Sequence, residues 1–250
     1  MKYDTDFYAE QRDGSLRSAE QVVPFLVGLL NPSSTLDIGC GVGTWPSMFA
    51  RSGCQAHGMD GSWAYESKLE IPAENFTPFD FIKAPTPYAP ELPLERYDLI
   101  TTFEFAEHIF EELADPLVDF MCSKTDAVIF GAAIPRQGGT HHVNEQWPSY
   151  WAHKFKRNGF VPCDFIRPTF WNNQTIRPWY VQNTVGYFRG SVPKNVREAA
   201  VDAWERNGPL PLVHPSSWDF VRDLADPSFE NFTRQGEAFA RKAAKKILGR

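Results

Sequence analysis

The chain contains the segment Leu36-Asp37-Ile38-Gly39-Cys40-Gly41-Val42-Gly43-Thr44, in which three alternate glycines follow a short apolar run. Residues 35–38 favour a buried strand, and residues 45–52 favour a helix. A glycine turn between a strand and a helix lets backbone amides approach a ligand closely at the N terminus of the helix. The segment therefore predicts a strand, a ligand-binding turn and a helix in succession.

Strands and helices alternate on both sides of this segment. Alternation of this kind predicts an α/β fold with a mostly parallel sheet, helices on both faces, and ligands at the carboxyl ends of the strands. The predicted strands cover residues 35–38, 55–60, 76–82, 97–103 and 127–133, and the predicted helices cover residues 18–30, 45–52 and 106–122.

The second half of the chain has a different pattern. Residues 147–158, 192–207 and 229–248 favour helices, residues 160–188 alternate aromatic with polar side chains, and residues 208–217 are rich in proline. We expect one domain over residues 1–190, and a helical extension over residues 191–250 packed on the same domain. The aromatic-rich and helical part is thus an elaboration of the α/β domain.

Composition excludes several classes of protein. Hydrophobic residues make up 42% of the 250 residues and charged residues 22%, which rules out wholesale disorder. The net charge of −6 disfavours nucleic acid as a partner, and no apolar run is long enough for a membrane span. Four scattered cysteines suit a reducing compartment, so we predict a cytoplasmic protein. The oligomeric state stays open, with a homodimer as one candidate.

Acidic residues near the glycine turn indicate the ligand. A dinucleotide fingerprint needs glycine at position 44, where Thr44 stands, and no Gly-Lys-Ser/Thr follows for a P-loop. Asp37 precedes the turn, and Asp60 ends the second predicted strand, where an acid can bind the two hydroxyls of a ribose. Acids repel phosphate and suit a cation. A positively charged nucleoside without phosphate, S-adenosylmethionine, fits this pattern.

The glycine segment resembles the first motif of the class I S-adenosylmethionine-dependent methyltransferases, and the resemblance covers roughly residues 10–190. It implies a Rossmann-like fold. It also implies that Asp60 binds the ribose, that Asp80 contacts the adenine amine beside apolar Phe81, and that Arg17 pairs with the methionine carboxylate. An exposed surface arginine is the alternative for Arg17. The expected cofactor-binding residues are Asp37, Gly39, Gly41, Gly43, Asp60, Asp80, Phe81 and Arg17.

A second cluster of polar residues follows the fourth predicted strand. Glu104, Glu107 and His108 are spaced at i, i+3 and i+4, so the predicted helix over 106–122 places them on one face. His142 follows the fifth strand, at the same edge of the sheet. Carboxylates with imidazoles suit a divalent cation, either Mg²⁺ or Mn²⁺. The four residues are therefore candidate metal ligands.

The E-x-x-E-H arrangement with a distal histidine resembles the metal site of two methyltransferase groups, which act on small-RNA 3′ ends and in the ubiquinone pathway. This resemblance implies a cation that lowers the pKa of an attacking hydroxyl. Many metal-independent class I methyltransferases also carry a Glu-His pair here. Without a metal, His108 or His142 is the candidate general base. We expect Glu107, His108 and His142 to be catalytic in either case.

The segment His142-Val143-Asn144-Glu145-Gln146-Trp147-Pro148-Ser149-Tyr150-Trp151 and the later Trp179-Tyr180-Val181-Gln182-Asn183 resemble a group of bacterial methyltransferases of glycan and natural-product sugar biosynthesis. The resemblance implies a sugar acceptor, with Trp179, Gln182 and Asn183 as candidate substrate-binding residues. Aromatic rings cover the apolar face of a sugar while amides bind its hydroxyls. Trp151, Phe155, Phe160 and Phe188 are interpreted as core residues.

The sequence favours an O-methyltransferase that acts on a hydroxyl of a sugar or glycan with S-adenosylmethionine as the donor. Two alternatives remain. The acceptor could be a phenol or an amine instead, or the chain could be a cofactor-binding partner without catalysis in a biosynthetic complex.

Overall fold

The structure is a computed structural model that describes residues 5–66, 68–207 and 217, with side chains for residues 14–64, 68–206 and 217. The chain divides into two compact units, residues 1–212 and 213–250. All described residues except Ser217 belong to the first unit. The predicted helix over 229–248 and most of the proline-rich stretch lie outside the described residues.

A seven-stranded sheet organises the first unit, in the order β3-β2-β1-β4-β5-β7-β6. Strands β1 to β5 pair in parallel, and β7 runs antiparallel to both of its neighbours, β5 and β6. The strands are β1 (Ser34–Ile38), β2 (Gln55–Asp60), β3 (Phe76–Pro78), β4 (Leu99–Phe103), β5 (Ala127–Gly131), β6 (Phe160–Cys163) and β7 (Thr184–Arg189).

Helices cover both faces of this sheet. They are α1 (Thr5–Leu30), α2 (Thr44–Arg51), α3 (Trp63–Glu66), α4 (Ala114–Lys124), α5 (Pro148–Arg157), α6 (Ile166–Phe170), α7 (Pro178–Gln182) and α8 (Lys194–Asn207). Successive side chains of β5 alternate between two apolar clusters. Val128 and Phe130 pack with residues of α4 and α5, whereas Ile129 packs with residues of α1, α2, α6 and α8. The predicted fold class, a Rossmann-like class I methyltransferase fold, is confirmed.

One predicted element is wrong over its first eight residues, 106–113. The helix expected over 106–122 is replaced by two short 3-10 turns, Ala106–His108 and Glu111–Leu113, and α4 begins only at Ala114. Ile109 and Phe110 between them have extended backbones. Pro116 explains the late start, because proline breaks a helix interior and is tolerated in a first turn. Glu104, Glu107 and His108 therefore do not share a helical face.

The aromatic second half packs largely as expected. Trp151, Phe155, Phe160 and Phe188 are all buried, which confirms their interpretation as core residues. Helix α8 agrees with the prediction for 192–207 and buries Val196 and Ala200 in the cluster that includes α1. Strand β3 is shorter than predicted and ends at Pro78. Within the described residues, no helix is long and apolar enough to cross a membrane.

Candidate active site

The glycine turn lies at the carboxyl end of β1, and its first glycine cannot be replaced. Gly39 has a φ of +75°, and a Cβ there would lie 2.2 Å from the Phe105 ring. The Gly39 amide donates to the carbonyl of Met59 on β2 over 2.8 Å, which ties the turn to the neighbouring strand. Only glycine accepts both this backbone conformation and this contact.

Asp60, at the end of β2, is held by the turn. Its Oδ2 accepts a hydrogen bond of 2.7 Å from the Gly41 amide, and its Oδ1 accepts one of 2.6 Å from the Gly61 amide. Burial raises the pKa of Asp60 to about 6, while these two amides act in the opposite direction. The carboxylate is thus fixed in orientation and ionised at neutral pH.

Asp37 lies beneath the turn and binds the adjacent strand. Thr101 on β4 donates its hydroxyl to Asp37 Oδ1 over 2.6 Å, as the β1–β4 register requires. Burial, and to a smaller extent the charge of Asp60, raises the pKa of Asp37 to about 8 despite this hydrogen bond. Asp37 therefore retains a proton at neutral pH in the folded protein.

The other expected cofactor residues lie in different environments. Asp80 is partly exposed, accepts hydrogen bonds from the Ile82 and Lys83 amides, and pairs with the Lys83 ammonium at 3.0 Å. Phe81 is buried in the core against Phe105. Arg17 is exposed on α1. Their roles at the cofactor stay predictions.

Trp63 was not anticipated from the sequence. Its indole packs against the backbone of Gly61, directly after Asp60, and yet is 45% exposed. A large exposed ring beside the acid that ends β2 is a candidate surface for a nucleoside base. The only indication of this role for Trp63 is the exposure of its ring, which cannot be inferred from the sequence.

The second polar cluster has Glu107 at its centre. Its side chain is fully buried, and neither carboxylate oxygen has a hydrogen-bond partner among the described residues. Its backbone carbonyl accepts hydrogen bonds from the amides of Val143 and Asn144, which brings the loop after β5 against it. Burial first, and then the charge of Glu104, raises the pKa of Glu107 far above its ordinary range.

Two imidazoles complete this cluster. Ligand atoms of Glu107, His108 and His142 all lie within 4.8 Å of one another. The two rings meet edge to face with centroids 5.0 Å apart. Burial, followed by the proximity of His142, lowers the pKa of His108 to about 4, so this ring is neutral at neutral pH. A carboxylate and two imidazoles can hold a divalent cation or accept a proton.

Glu104, the fourth expected ligand, lies outside that group of three. Gln137 donates its amide to Glu104 Oε2 over 2.6 Å, and Asn183 donates to Glu104 Oε1 over 2.6 Å. Asn183 also donates to Gln137 Oε1 over 2.9 Å, which closes a ring of three side chains. Burial raises the pKa of Glu104 to about 7, and the two amides oppose that shift. Its backbone φ of +53° is unusual for a residue other than glycine.

The expected substrate-binding residues mostly make contacts with other side chains of the protein. Asn183 is buried and holds Glu104 as described, and Gln182 is buried and donates to Asn183 Oδ1 over 3.2 Å. Trp179 is partly buried, with the Arg177 guanidinium 5.6 Å from its ring centroid. Their contact with a substrate stays a prediction.

The chain is similar to known proteins in one domain family and in its fold. A family model described as a methyltransferase domain matches residues 8–127. No curated protein matches the chain in sequence.

Many solved structures share the fold, including the three that follow. DesVI from Streptomyces venezuelae is 10% identical with a TM-score of 0.55, covering 76% of this chain and 100% of its own. A protein proposed to be an O-methyltransferase from Nostoc punctiforme PCC 73102 is 15% identical with a TM-score of 0.51, covering 73% and 59%. Magnesium protoporphyrin IX methyltransferase from Synechocystis PCC 6803 with bound S-adenosylmethionine is 19% identical with a TM-score of 0.50, covering 76% and 86%.

The strand order, with its antiparallel β7 and a glycine turn after β1, defines the class I methyltransferase fold. Together with the methyltransferase-domain match over residues 8–127, this fold indicates an S-adenosylmethionine-dependent methyltransferase.

Proposed function

We propose that this methyltransferase transfers a methyl group to a hydroxyl of a sugar or glycan, with the help of a divalent cation. The observation that carries the proposal is Glu107, a fully buried side chain whose oxygens have no hydrogen-bond partner among the described residues and whose Oε1 lies 3.9 Å from His142 Nε2. An unpaired buried carboxylate costs stability unless a ligand compensates it. Two imidazoles beside it supply the remaining ligand atoms.

The donor set fits a divalent cation held by Glu107, His108 and His142. Two nitrogen donors with one carboxylate favour Mn²⁺ over Mg²⁺, because Mg²⁺ prefers ligands that are all oxygen. When bound, such a cation polarises an acceptor hydroxyl and makes its proton easier to remove. Glu104 lies next to this group and is partly ionised at neutral pH, since burial raises its pKa to about 7, in an orientation set by Gln137 and Asn183.

At the other end of the site, the glycine turn and Asp60 suit S-adenosylmethionine, which supplies a methyl group on a positively charged sulfur. The fixed Asp60 carboxylate is oriented to accept hydrogen bonds from the two ribose hydroxyls. Trp63 offers an exposed ring for the base. The protein's task in the transfer is to align acceptor and donor. With a cation bound, both imidazoles would be ligands and the acceptor proton would leave to water; without a cation, His108 or His142 would take it.

Support for a sugar acceptor comes from the segment 142–151, which resembles bacterial sugar methyltransferases. Trp147 in this segment is 52% exposed and Val143 is 51% exposed, although most aromatic residues around them are buried. The Val143 amide binds the Glu107 carbonyl, so Val143 lies next to the acid–imidazole group. Exposed apolar side chains beside polar groups suit the two faces of a sugar ring.

Methyl transfer from labelled S-adenosylmethionine, measured over a panel of nucleotide sugars, oligosaccharides, phenols and amines with Mn²⁺ present, tests the proposal. We expect turnover on a sugar hydroxyl and loss of turnover in EDTA that Mn²⁺ restores. Turnover confined to phenols or amines would contradict the sugar acceptor. An undiminished rate in EDTA would remove the cation from the mechanism, and tight cofactor binding without any turnover would favour a non-catalytic partner.

A further inference from the structure

We propose that Glu145 is a positioning residue that fixes the orientation and the tautomer of His142, so that Nε2 of this ring faces Glu107. The inference has two steps. The first, that Glu145 sets the tautomer of His142, concerns the protein alone. The second, that Nε2 of His142 then serves as a cation ligand, rests on the proposed function.

The geometry at His142 assigns a different partner to each ring nitrogen. Nδ1 lies 2.9 Å from Glu145 Oε1, a hydrogen-bond distance, whereas Nε2 lies 3.9 Å from Glu107 Oε1. A carboxylate accepts and does not donate when ionised, so the Glu145 contact places the proton on Nδ1. Nε2 then carries the lone pair and faces the group formed by Glu107 and His108.

Glu145 is itself held firmly. Its Oε2 accepts a hydrogen bond of 2.8 Å from the Arg136 amide, and its Oε1 accepts one of 2.8 Å from the Gly138 amide. Together with His142, three donors converge on one side chain that is 19% exposed. Such a carboxylate has little freedom to rotate, and its hydrogen bond to Nδ1 restricts the rotation of the His142 imidazole as well.

The loop that Glu145 closes has an unfavourable backbone. Arg136 and His141 have φ values of +70° and +63°, in the left-handed region that most residues avoid. Conformations of this kind persist only where surrounding contacts determine them, and they concentrate at functional sites. The hydrogen bonds of Glu145 to Arg136 and Gly138 stabilise the loop in the conformation that places His142 opposite Glu107.

The second imidazole is arranged in a similar way. Nδ1 of His108 lies 3.4 Å from the carbonyl of His141, which accepts from a protonated Nδ1. Both rings thus direct Nδ1 towards an acceptor in the loop after β5. A hydrogen bond from the second nitrogen of a ligating histidine sets the tautomer and increases the basicity of the first.

The tautomer can be measured without metal or cofactor. Long-range proton–nitrogen correlation spectra of protein labelled with ¹⁵N-histidine distinguish Nδ1–H from Nε2–H, and His142→Gln assigns the signals of His142. At a pH where the ring is neutral, we expect wild-type His142 to carry its proton on Nδ1. We expect Glu145→Ala to move the proton towards Nε2. A wild-type ring protonated on Nε2 would overturn the inference, even if no variant folds.

Mn²⁺ binding measured by electron paramagnetic resonance then tests the consequence. Loss of a partner that orients a metal ligand costs about 10–100-fold in metal affinity, so Glu145→Ala should weaken Mn²⁺ binding by that factor. Glu112→Ala, which removes an exposed acid on a neighbouring turn, should change it less than 3-fold. Equal losses in both variants would contradict positioning, because they would show a general effect of charge.

The two parts of the account fail separately. If wild-type protein shows the Nδ1–H tautomer and binds no Mn²⁺, the cation of the proposed function is refuted while the role of Glu145 in orienting His142 is supported. If Mn²⁺ binds and Glu145→Ala changes neither the tautomer nor the affinity, the positioning role is refuted while the cation stands.

Discussion

The two halves of the site are built in contrasting ways. At the cofactor edge, Asp60 has both carboxylate oxygens bound by backbone amides of Gly41 and Gly61. At the acid–imidazole edge, both oxygens of Glu107 are buried without a partner among the described residues. The acid at the cofactor edge is therefore already paired within the protein, whereas Glu107 is left for the proposed cation to pair.

This difference indicates how each half affects stability and activity. Groups that are already paired contribute to folding and bind their ligand with little rearrangement. Groups left unpaired in the interior destabilise the folded state and are retained where function requires them. Substitutions at the cofactor edge should therefore change binding, and substitutions at the acid–imidazole edge should change turnover.

The largest effect is expected for Glu107→Gln. Because this change removes a candidate cation ligand, kcat should fall about 10²–10⁴-fold, measured with labelled S-adenosylmethionine. The Kd for S-adenosylmethionine, measured by calorimetry, should change less than 3-fold. Because burial raises the pKa of Glu107 far above its ordinary range, the metal-free folded protein favours the neutral carboxyl group, and replacing it with a neutral amide should not lower the Tm. A fall in Tm together with a normal kcat would contradict this account, because it would show that Glu107 stabilises the fold and does not support turnover.

The next effect concerns Asp60→Ala. Hydrogen bonds to a charged group contribute about 1.5–3 kcal/mol, so the Kd for S-adenosylmethionine should rise about 10–100-fold. The kcat at saturating cofactor should stay within a few fold of wild type. A loss of kcat with unchanged cofactor affinity would contradict the assignment of Asp60 to the cofactor.

Wild-type cofactor binding should also depend on pH. The pKa of Asp60 is raised to about 6, so protonation as the pH falls through 6 removes a hydrogen-bond acceptor and raises the Kd for S-adenosylmethionine. Calorimetry between pH 5 and 8 measures this change, and Asp60→Ala should be less sensitive to pH over the same range. An equal pH dependence in both proteins would exclude Asp60 as its origin.

A smaller effect is expected for Asn183→Ala, which removes the donor to Glu104 Oε1. Loss of one hydrogen bond to a carboxylate predicts a fall in kcat of about 10-fold, without a change in the cofactor Kd. Asn172→Ala, at an exposed position in the same half of the chain, is the matched control and should retain wild-type kcat. Equal kcat in both variants would show that the ring of Glu104, Gln137 and Asn183 does not support turnover.

Asp37 gives a prediction of a different kind, a change of stability rather than of activity with pH. Its pKa is raised by burial from an ordinary 3.8 to about 8 in the folded protein, so the folded state binds this proton more tightly than the unfolded state. The resulting stabilisation is complete below pH 4 and is lost as the pH rises to 8, by at most about 1.4 kcal/mol per pH unit. Urea unfolding of Asp37→Asn should show a weaker decline over this range, whereas exposed Asp202→Asn should follow the wild type.

The cofactor edge could be predicted because its signals are local. A strand, three glycines and a helix stand together in residues 35–52, and alternation of strands and helices placed the ends of β1 and β2 beside each other. The prediction for Asp60 depends only on where the second strand ends. The exposed position of Trp63 could not be predicted, because its packing against Gly61 depends on the turn after β2.

The acid–imidazole edge could be predicted only in part, because it combines distant segments. Glu107, His108 and His142 were expected together from the common edge of β4 and β5, and the structure brings them together. The predicted start of the helix over 106–122 is wrong, because Pro116 is tolerated only in a first turn and the helix therefore begins at Ala114. Gln137 and Glu145 lie in a loop whose left-handed residues have no pattern in the sequence, so their partners could not be inferred.

A crystal structure with S-adenosylhomocysteine and Mn²⁺, with the metal located by its anomalous scattering, tests the central claim most directly. The account predicts the nucleoside at the turn 39–43 with its ribose on Asp60, and the Mn²⁺ on Glu107, His108 and His142. An empty turn, a nucleoside far from Glu107 and His142, or an anomalous peak elsewhere would contradict it.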